Sequence, residues 1–369
     1  MGLTSMAVLL LAIAAAVVLF ALTIWLWPRL GKKSIGAVLA RVGMLLATQL
    51  TLFAAVGLWA NQSFGFYGSW ADLFGQVKEE GIVVDHSAAD NRVQVVGTQP
   101  VKVPRGNVLR AGGKIEKINI AGIESKISGP AYVYLPPEYF QPEYAKKTFP
   151  ASVVLTGYPG TSEALIKGLD YPVRAHKLAK AKKMQPTILV MMRPSVVGQR
   201  DTECINIPNG PQAETFFTKD LRKAISQHYR VGDKAANWGM IGNSTGGYCA
   251  LKIAMRNPDA FGAAASLSGY YKALQDPTTG DLFGGNKKLE KENDVLWRLK
   301  NVPTPPISVL VTTSKQGEHN YKDTMKFIEA AKGSARVSSI VLDSGGHNFN
   351  TWRRELNPTL QWMAGRLQA

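Results

Sequence analysis

The sequence predicts a pair of membrane-spanning helices followed by an α/β domain built on a mostly parallel sheet. Two long uncharged apolar runs stand at the amino terminus. Beyond them, short apolar runs alternate with helix-like segments. A glycine-rich motif connects one of the short apolar runs directly to the helix-like segment that follows it. Of the 369 residues, 46% are hydrophobic, which excludes a wholly disordered chain. Because the chain has only two cysteines, a cysteine-rich zinc module is excluded as well.

The two apolar runs predict a transmembrane hairpin over residues 1–60. Residues 6–27 and 42–60 hold no charged side chain, and about 20 residues suffice to cross a bilayer. Tryptophans stand near the ends of both runs, where interfacial rings are expected: Trp25, Trp27 and Trp59. A cleaved signal peptide is the alternative for the first run, but that run is long and the usual basic start is missing.

The loop between the two runs predicts the orientation of the hairpin. Residues 28–41 are few and hold four positive charges, and short basic loops stay in the cytoplasm. Everything after residue 60 is then expected outside. The arrangement fits a multi-pass protein of a bacterial plasma membrane with an extracytoplasmic domain.

The formal net charge of +16 favours an anionic partner, which a nucleic acid, a membrane or an anionic polymer could provide. The sequence has no zinc-finger or RNP pattern, and its main domain is expected outside the cell, so we expect no nucleic acid partner. Residues 61–109 mix aromatic, acidic and turn-forming residues and predict an extracytoplasmic connector. The main domain is predicted over residues 110–369.

Seven strand-like runs predict the sheet of this domain, at residues 131–137, 149–157, 187–193, 237–242, 261–269, 307–314 and 337–343. Amphipathic segments lie between most of them, at residues 162–183, 215–229, 245–256, 319–332 and 349–367. Near-continuous apolar strands that alternate with helices predict a mostly parallel sheet covered on both faces. In such sheets, ligands bind at the carboxyl ends of the strands.

The motif Gly242-Asn243-Ser244-Thr245-Gly246 predicts a nucleophile elbow. It follows one predicted strand directly and opens a predicted helix, which is the context in which G-x-S-x-G holds a catalytic serine. The two glycines keep side chains out of the space where strand and helix cross. A chance match is the alternative in a chain with 35 glycines, but the context favours Ser244 as the nucleophile.

A serine hydroxyl needs a base, and in this chain order the base follows the nucleophile. Of the five histidines, only His319 and His347 follow Ser244. His347 lies in a glycine-rich loop between the last strand and a closing helix, so it is the predicted base. His319 begins a helix and is expected to be a surface residue.

The acid of a catalytic triad is expected after the penultimate strand and before the base. Glu318 meets that condition best, whereas Asp323 lies further into a predicted helix. Asp343 is only four residues before His347 and is the main competitor, although it could instead brace the loop. We therefore predict Glu318 as the acid, with Asp343 kept as the alternative.

An oxyanion hole needs two backbone N–H donors near the nucleophile. The first predicted donor is Thr245, which follows the nucleophile. The second is expected in the loop after the strand at 149–157, where Pro159 has no N–H and Tyr158 is the candidate. An ordinary Pro-Gly turn is the alternative for this loop.

Several motifs occur in the same order as in a known family: VYLPPEYF, VLTGYPG, ETFFTKDL, GNSTGGYCALKIAMRNPDAFGAAASLSGYY and GGHNF. Over roughly residues 110–369 the chain resembles the "Putative esterase" (esterase D) family, which includes the bacterial mycolyltransferases. The resemblance implies an α/β-hydrolase fold and a serine esterase or acyltransferase that uses neither a metal nor an organic cofactor. It supports the five predicted site residues, Ser244, His347, Glu318, Tyr158 and Thr245.

Two departures from the family pattern concern the oxyanion hole. Thr245 stands where Met is common, and the oxyanion loop lacks the His-Gly start of many esterases. The first changes the edge of the pocket, and neither removes a backbone donor.

These observations predict a membrane-anchored extracytoplasmic serine esterase or acyltransferase that acts on acyl esters or envelope lipids through an acyl-enzyme on Ser244. The sequence leaves open whether water or an alcohol accepts the acyl group. The alternative is a catalytically silent binding or structural protein of the envelope that keeps the fold.

Two further features keep alternatives open. Arg200, Asp201 and Glu203 either line the substrate cleft or form a salt-bridged loop that fixes local structure. Cys204 and Cys249 either form a disulfide, which an oxidising location permits, or stay buried thiols.

Overall fold

A computed structural model describes residues 2–3, 5–31, 33–64, 67, 70–74, 92–101, 103, 109–198, 200–331 and 336–369. The chain divides into two compact units, Met1–Glu79 and Glu80–Ala369. Much of the predicted connector, including residues 75–91, lies outside the described residues. The limits of the three predicted segments stay predictions.

The first unit consists of two long helices, α1 (Met6–Leu26) and α2 (Ile35–Phe64), followed by the short helix α3 (Trp70–Leu73). A 3₁₀ turn, Trp27–Leu30, ends the first helix. The hydroxyl groups of Thr23 and Thr48 lie 3.0 Å apart across the pair. Both helices are long and apolar enough to cross a membrane, although a signal sequence near the amino terminus has the same properties.

The outer surface of this pair is apolar. Many of its large side chains are exposed, among them Leu10, Val17, Phe20, Leu39, Leu50 and Phe53. Exposed apolar surface of this extent is unfavourable in water and marks a site for lipid or protein contact.

The second unit is built on one nine-stranded sheet. Its strands are β1 (Val93–Pro100), β2 (Lys114–Ala121), β3 (Ser128–Leu135), β4 (Ala151–Leu155), β5 (Ile188–Met192), β6 (Trp238–Asn243), β7 (Ala263–Leu267), β8 (Ser308–Gln316) and β9 (Arg336–Ser344). Their order across the sheet is β1-β2-β3-β5-β4-β6-β7-β8-β9. The six strands from β5 to β9 in this order are parallel, and β1, β2 and β3 add an antiparallel edge. The predicted α/β architecture with a mostly parallel sheet is confirmed.

The sheet extends further towards the amino terminus than the strand-like runs predict. Strand β1 lies in the segment predicted as a connector, and β2 was not among the predicted strands. Most side chains of β1 are exposed, and the strand contains Gly97 and ends at Pro100. Its hydrophobic pattern is therefore weak, and pairing with β2 decides its conformation.

Helices cover both faces of the sheet. They are α4 (Leu109–Gly112), α5 (Ser162–Lys167), α6 (Tyr171–Lys180), α7 (Ala213–Thr215), α8 (Arg222–His228), α9 (Thr245–Arg256), α10 (Lys287–Glu292), α11 (Val295–Asn301), α12 (Tyr321–Ala330) and α13 (Phe349–Ala364), and a π-helical turn, Phe216–Leu221, joins α7 to α8. The predicted helical segment 162–183 is two helices, because Asp170 between them adopts a left-handed conformation with φ +57°.

The central strands are buried on both sides. In β4, Val153 packs into the core that α9 covers, whereas Val154 packs into the core beneath α13. In β6, Met240 packs into the core that α9 covers, and Ile241 packs into the core beneath α13. Since β4, β6, β8 and β9 are parallel, their carboxyl ends lie at one edge of the sheet. The loops that hold the predicted site residues all start at that edge.

The crossing of β6 and α9 leaves no space for side chains. A Cβ atom on Gly246 would overlap the carbonyl oxygens of Leu155 and Thr156, and one on Gly242 would overlap the carbonyl of Gly246. We expect Gly246→Ala to lower the free energy of unfolding by about 1–3 kcal/mol or more, because backbone atoms cannot move aside as a flexible side chain could.

The matched control is Gly129→Ala in β3, where the nearest atom to an added Cβ is 3.7 Å away on Phe216. We expect it to change the stability by at most about 0.5 kcal/mol. Urea unfolding of the full chain in detergent measures both variants. Equal unfolding midpoints for the two variants would contradict the steric argument.

Candidate active site

Ser244 lies on the tight turn between β6 and α9, as the elbow motif predicts. Its backbone has φ +55° and ψ −124°, a conformation that is costly for a residue with a side chain. The turn is held because the Ser244 N–H donates to the carbonyl of Leu267 at the end of β7, at 3.0 Å. The surrounding sheet therefore maintains a strained backbone at this residue.

His347 and Glu318 lie next to Ser244 and form a chain of contacts with it. The Nε2 atom of His347 is 2.8 Å from the Ser244 Oγ, and its Nδ1 is 3.2 Å from Oε2 of Glu318. The Glu318 side chain is 1% exposed and that of His347 37%. Because a carboxylate can only accept a hydrogen bond, Nδ1 carries the proton and Nε2 accepts from the serine hydroxyl.

The loop that holds His347 is fixed on its carboxyl side by α13. The Oδ1 of Asn348 accepts hydrogen bonds from the N–H groups of Asn350 and Thr351 and so caps the helix. The Trp352 ring packs edge-to-face with the imidazole, with 5.2 Å between ring centroids. These contacts hold the histidine ring on the side of Ser244.

The two competing carboxylates have other partners. The Asp343 side chain is 91% exposed and pairs with Lys315 of the neighbouring strand at 2.8 Å. This hydrogen bond and the lysine charge lower the pKa of Asp343. Asp323 is exposed as well and pairs with Lys326 at 2.8 Å. Of the three candidate acids, Glu318 is the one in contact with His347, and His319 beside it is exposed.

The loop that holds Tyr158, one of the two candidate oxyanion donors, lies against Ser244. A Cβ atom on Gly157 would be only 3.0 Å from the Cβ of Ser244. The Gly157 carbonyl accepts from the N–H of Gly160 at 2.9 Å and from the Thr156 hydroxyl at 2.7 Å, which makes a tight turn around Tyr158.

The other candidate donor, Thr245, is the first residue of α9. The first four N–H groups of a helix have no partner within it, and the helix start carries a partial positive charge. The roles predicted for Thr245, Tyr158 and the three side chains stay predictions.

The polar cluster that follows β5 braces two loops against each other. Arg200 donates to the carbonyls of Thr279 and Asp281, at 2.8 and 2.9 Å. Asp201 donates from its N–H to the Thr278 carbonyl at 3.2 Å. Asp201 is 3% exposed and Glu203 is not exposed at all. These contacts support the interpretation as a structural loop rather than as a cleft lining.

Tyr270 is a partner of this cluster that the sequence analysis missed. Its hydroxyl donates to Oε1 of Glu203 at 2.7 Å. Burial raises the pKa of Glu203 to about 8, and the charge of Asp201 adds to the rise, while hydrogen bonds from Tyr270 and Leu274 oppose it. Tyr270 follows β7 directly, so its position at the carboxyl edge was the signal in the sequence.

Cys204 and Cys249 form a disulfide, with 5.7 Å between their Cα atoms. The bond joins the braced loop to the second turn of α9. Nearby, the fully buried Nζ of Lys252 pairs with Glu214 at 3.1 Å. The loop after β5 is thus attached to α9 both covalently and through the Lys252 Nζ, which donates to the Cys204 carbonyl. In the part of the chain that the structure describes, no group of three His, Cys, Asp or Glu side chains could hold a metal ion.

The fold defines the structural class of this protein. A mixed sheet with helices on both faces and a serine on the elbow after a central strand is the α/β-hydrolase architecture. A family model described as "Putative esterase" matches residues 125–364. The chain therefore belongs to this esterase family, as the motifs predict, and family membership supports carboxylic-ester hydrolase activity.

The chain is also similar to individual proteins. It is 24% identical over 282 residues to an uncharacterised protein of Corynebacterium glutamicum, and the match covers 70% of this chain. The chain spans only 63% of the length of that curated relative.

Among solved structures, an S-formylglutathione hydrolase of Agrobacterium tumefaciens matches with a TM-score of 0.59 at 18% identity, over 74% of this chain and 100% of that one. The fluorophosphonate-binding serine hydrolase F of Staphylococcus aureus matches with a TM-score of 0.55 at 17% identity, over 68% and 98% of the two chains. At these identities the likeness shows the fold alone.

The disulfide predicts a measurable thiol count. We expect the denatured, non-reduced protein to bind no alkylating reagent and the reduced protein to bind it at two positions. Removal of the bond, as in Cys204→Ala with Cys249→Ala, is expected to lower stability by about 2–4 kcal/mol, because it releases a loop of 45 residues in the unfolded chain. Two alkylatable thiols before reduction would show that the bond does not form.

Proposed function

We propose that this protein is a membrane-anchored, extracytoplasmic serine esterase or acyltransferase that acts on acyl esters through an acyl-enzyme on Ser244. The observation that carries the proposal is the chain of contacts from Ser244 to His347 at 2.8 Å and from His347 to Glu318 at 3.2 Å. Each of the three residues follows a different parallel strand of one sheet.

The contacts support a two-step reaction. The Ser244 Oγ attacks the ester carbonyl carbon while His347 Nε2 takes its proton, and Glu318 stabilises the imidazolium. The oxygen that becomes negative is bound by the N–H groups of Thr245 and Tyr158. His347 then returns the proton to the leaving alcohol, which leaves the acyl group on Ser244. Water or a second alcohol, deprotonated by His347, attacks the carbonyl carbon of this acyl-enzyme. The bond to Ser244 Oγ breaks, and His347 returns the proton to Oγ, which restores the serine.

The first prediction of the proposed function concerns the nucleophile. A fluorophosphonate probe should label the protein at Ser244, and Ser244→Ala should abolish both labelling and ester turnover, because alanine lacks the nucleophilic oxygen. Losses for triad serines reach about a million-fold. Mass spectrometry of the labelled peptide and an ester assay measure the two effects.

The matched control is Ser226→Ala on α8, where the hydroxyl donates to the Gly232 carbonyl, and it should leave labelling intact. Retention of more than a tenth of wild-type turnover in Ser244→Ala would refute the assignment. The same probe separates the two classes of function, because a catalytically silent binding protein would not be labelled.

The second prediction concerns the acid. Glu318→Gln should lower kcat by about 100-fold or more, because a neutral amide neither holds the histidine tautomer nor stabilises its positive charge. Asp343→Asn should leave kcat within a few-fold, since Asp343 is exposed and paired with Lys315. Steady-state kinetics of both folded variants with one ester show which of the two carboxylates acts as the acid. The reverse ranking would transfer the role to Asp343.

The third prediction concerns location. The apolar surfaces of α1 and α2 and the basic loop between them support a hairpin with both outer ends outside the cytoplasm. Protease added to intact spheroplasts should therefore digest the unit after residue 79. Full protection until lysis would reverse the topology, and recovery of a soluble chain cleaved near residue 27 would indicate a signal peptide instead.

The proposed substrate class is an acyl ester at the membrane surface, such as an envelope lipid. The first 60 residues hold four basic and no acidic side chains, so twelve of the sixteen net positive charges lie beyond the hairpin, where they favour an anionic surface. Exposure of the protein to an envelope lipid extract, followed by mass spectrometry of the acyl group on Ser244, identifies the donor. Release of that group by water or by an added alcohol distinguishes hydrolysis from transfer.

A further inference from the structure

Helix α13 carries a buried carboxyl group that the proposed reaction does not use. Glu355 lies on the buried face of this helix, which also carries Trp352, Leu356 and Leu360, and it has no exposed surface. Burial of a carboxyl group without a partner is costly, so its surroundings indicate what it does.

One oxygen of Glu355 is bound by Thr312 of β8. The Thr312 Oγ1 accepts a hydrogen bond from the Ser268 N–H at 3.0 Å and donates to Oε2 of Glu355 at 2.8 Å. A hydroxyl has a single proton. Because Thr312 already serves as an acceptor for Ser268, its proton is available for Glu355, and this contact orients the carboxyl group.

The other oxygen of Glu355 and one oxygen of Glu318 are both buried without a hydrogen-bond partner among the described residues. In Glu355 this atom is Oε1, and in Glu318 it is also Oε1, since Oε2 contacts His347. His347 connects the two regions, because its Nδ1 contacts Glu318 and its ring packs against Trp352, which lies one turn before Glu355 on α13. The free oxygen of Glu318 needs a hydrogen-bond donor, and a protonated Glu355 can supply one.

The protonation state of Glu355 fits the role of a donor. Burial raises its pKa to about 8, and the charge of Glu318 adds to the rise, while the Thr312 hydrogen bond and the charge of Arg354 oppose it. Tyr171 of α6 is neutral as well, because burial and the charge of Glu355 raise its pKa. At neutral pH Glu355 is therefore mostly a carboxylic acid with one O–H to donate.

We propose that Glu355 is a positioning residue for the triad acid: its carboxylic acid donates a hydrogen bond to the free oxygen of Glu318, directly or through one buried water, and so holds the other oxygen against His347. The inference rests on the proposed function, since it assigns Glu318 as the triad acid. A carboxylate with one oxygen unbound could rotate away from the imidazole. Two hydrogen bonds at opposite oxygens prevent that rotation.

The test compares an isosteric donor with an apolar side chain at the same position. In Glu355→Gln, the amide carbonyl can accept from Thr312 and the amide N–H can donate to Glu318, so kcat should stay within about threefold of wild type. In Glu355→Leu the donor is lost, and kcat should fall by about 10- to 100-fold with KM unchanged, the effect of one hydrogen bond to a charged group. Equal kcat values for the two variants would overturn the proposal.

A second pair of variants keeps the test independent of how well Glu355→Leu folds. Thr312→Val removes the hydroxyl that orients Glu355, whereas Thr312→Ser retains it. We expect Thr312→Val to lower kcat more than Thr312→Ser does, again with KM unchanged. Circular dichroism and thermal unfolding of each variant establish that the chains compared are folded. Equal kcat values for this pair would count against the proposal.

A structural role and a positioning role separate in the Glu318→Gln background. If Glu355 acts through Glu318, Glu355→Leu should have no further effect on kcat once Glu318 is replaced. Full additivity of the two substitutions would show that Glu355 acts by another route and would overturn the proposal. Failure of the proposed function is recognised differently, because Glu318→Gln alone would then leave kcat unchanged or Ser244 would not react with the fluorophosphonate.

Discussion

The close approach of β6 and α9 at Ser244 is the constraint on which the rest of the site depends. Gly242 and Gly246 allow the strand and the helix to cross without side chains between them, and β4 passes so near that its carbonyls occupy the remaining space. This packing holds Ser244 at a positive φ and directs its hydroxyl out of the sheet edge. His347, Glu318 and the loop of Tyr158 follow separate strands, and they meet near Ser244 because the parallel sheet aligns the ends of those strands.

The surroundings of the elbow are held by a second layer of contacts. On one side, the disulfide and the contacts of Arg200 and Glu203 fasten the loop after β5 to α9 and to the loop after β7. On the other side, α13 packs Trp352 edge-to-face with the His347 ring and carries the buried Glu355, which we propose orients Glu318. Ser244 is thus held by backbone geometry, whereas His347 is held by side chains of the last helix and its loop.

Several buried carboxyl groups in this unit have raised pKa values for the same physical reason. Glu203 and Glu355 both lose the solvation of their charged forms on burial, and a second carboxylate stands near each. Glu214 differs because Lys252 and Arg256 pair with it, and their charges outweigh its burial and lower its pKa to about 2. Raised pKa values make folding more favourable at low pH: that stability is fully present below the ordinary pKa of a glutamate and is lost as the pH rises through about 8.

The sequence by itself determined the features that depend on neighbouring residues. Uncharged runs, alternating strands and helices, and the glycines around Ser244 each express their structure locally. Chain order left His319 and His347 as candidate bases, and the glycine-rich loop favoured His347. Only the tertiary structure decided which carboxyl group reaches His347, because Glu318 and Asp343 differ in burial and partners rather than in local pattern. The same holds for β1, whose weak apolar pattern becomes a strand by pairing, and for Glu355, whose partners lie more than 30 residues away. Contacts between distant residues depend on how the helices and strands pack, and no single segment of the sequence specifies that packing.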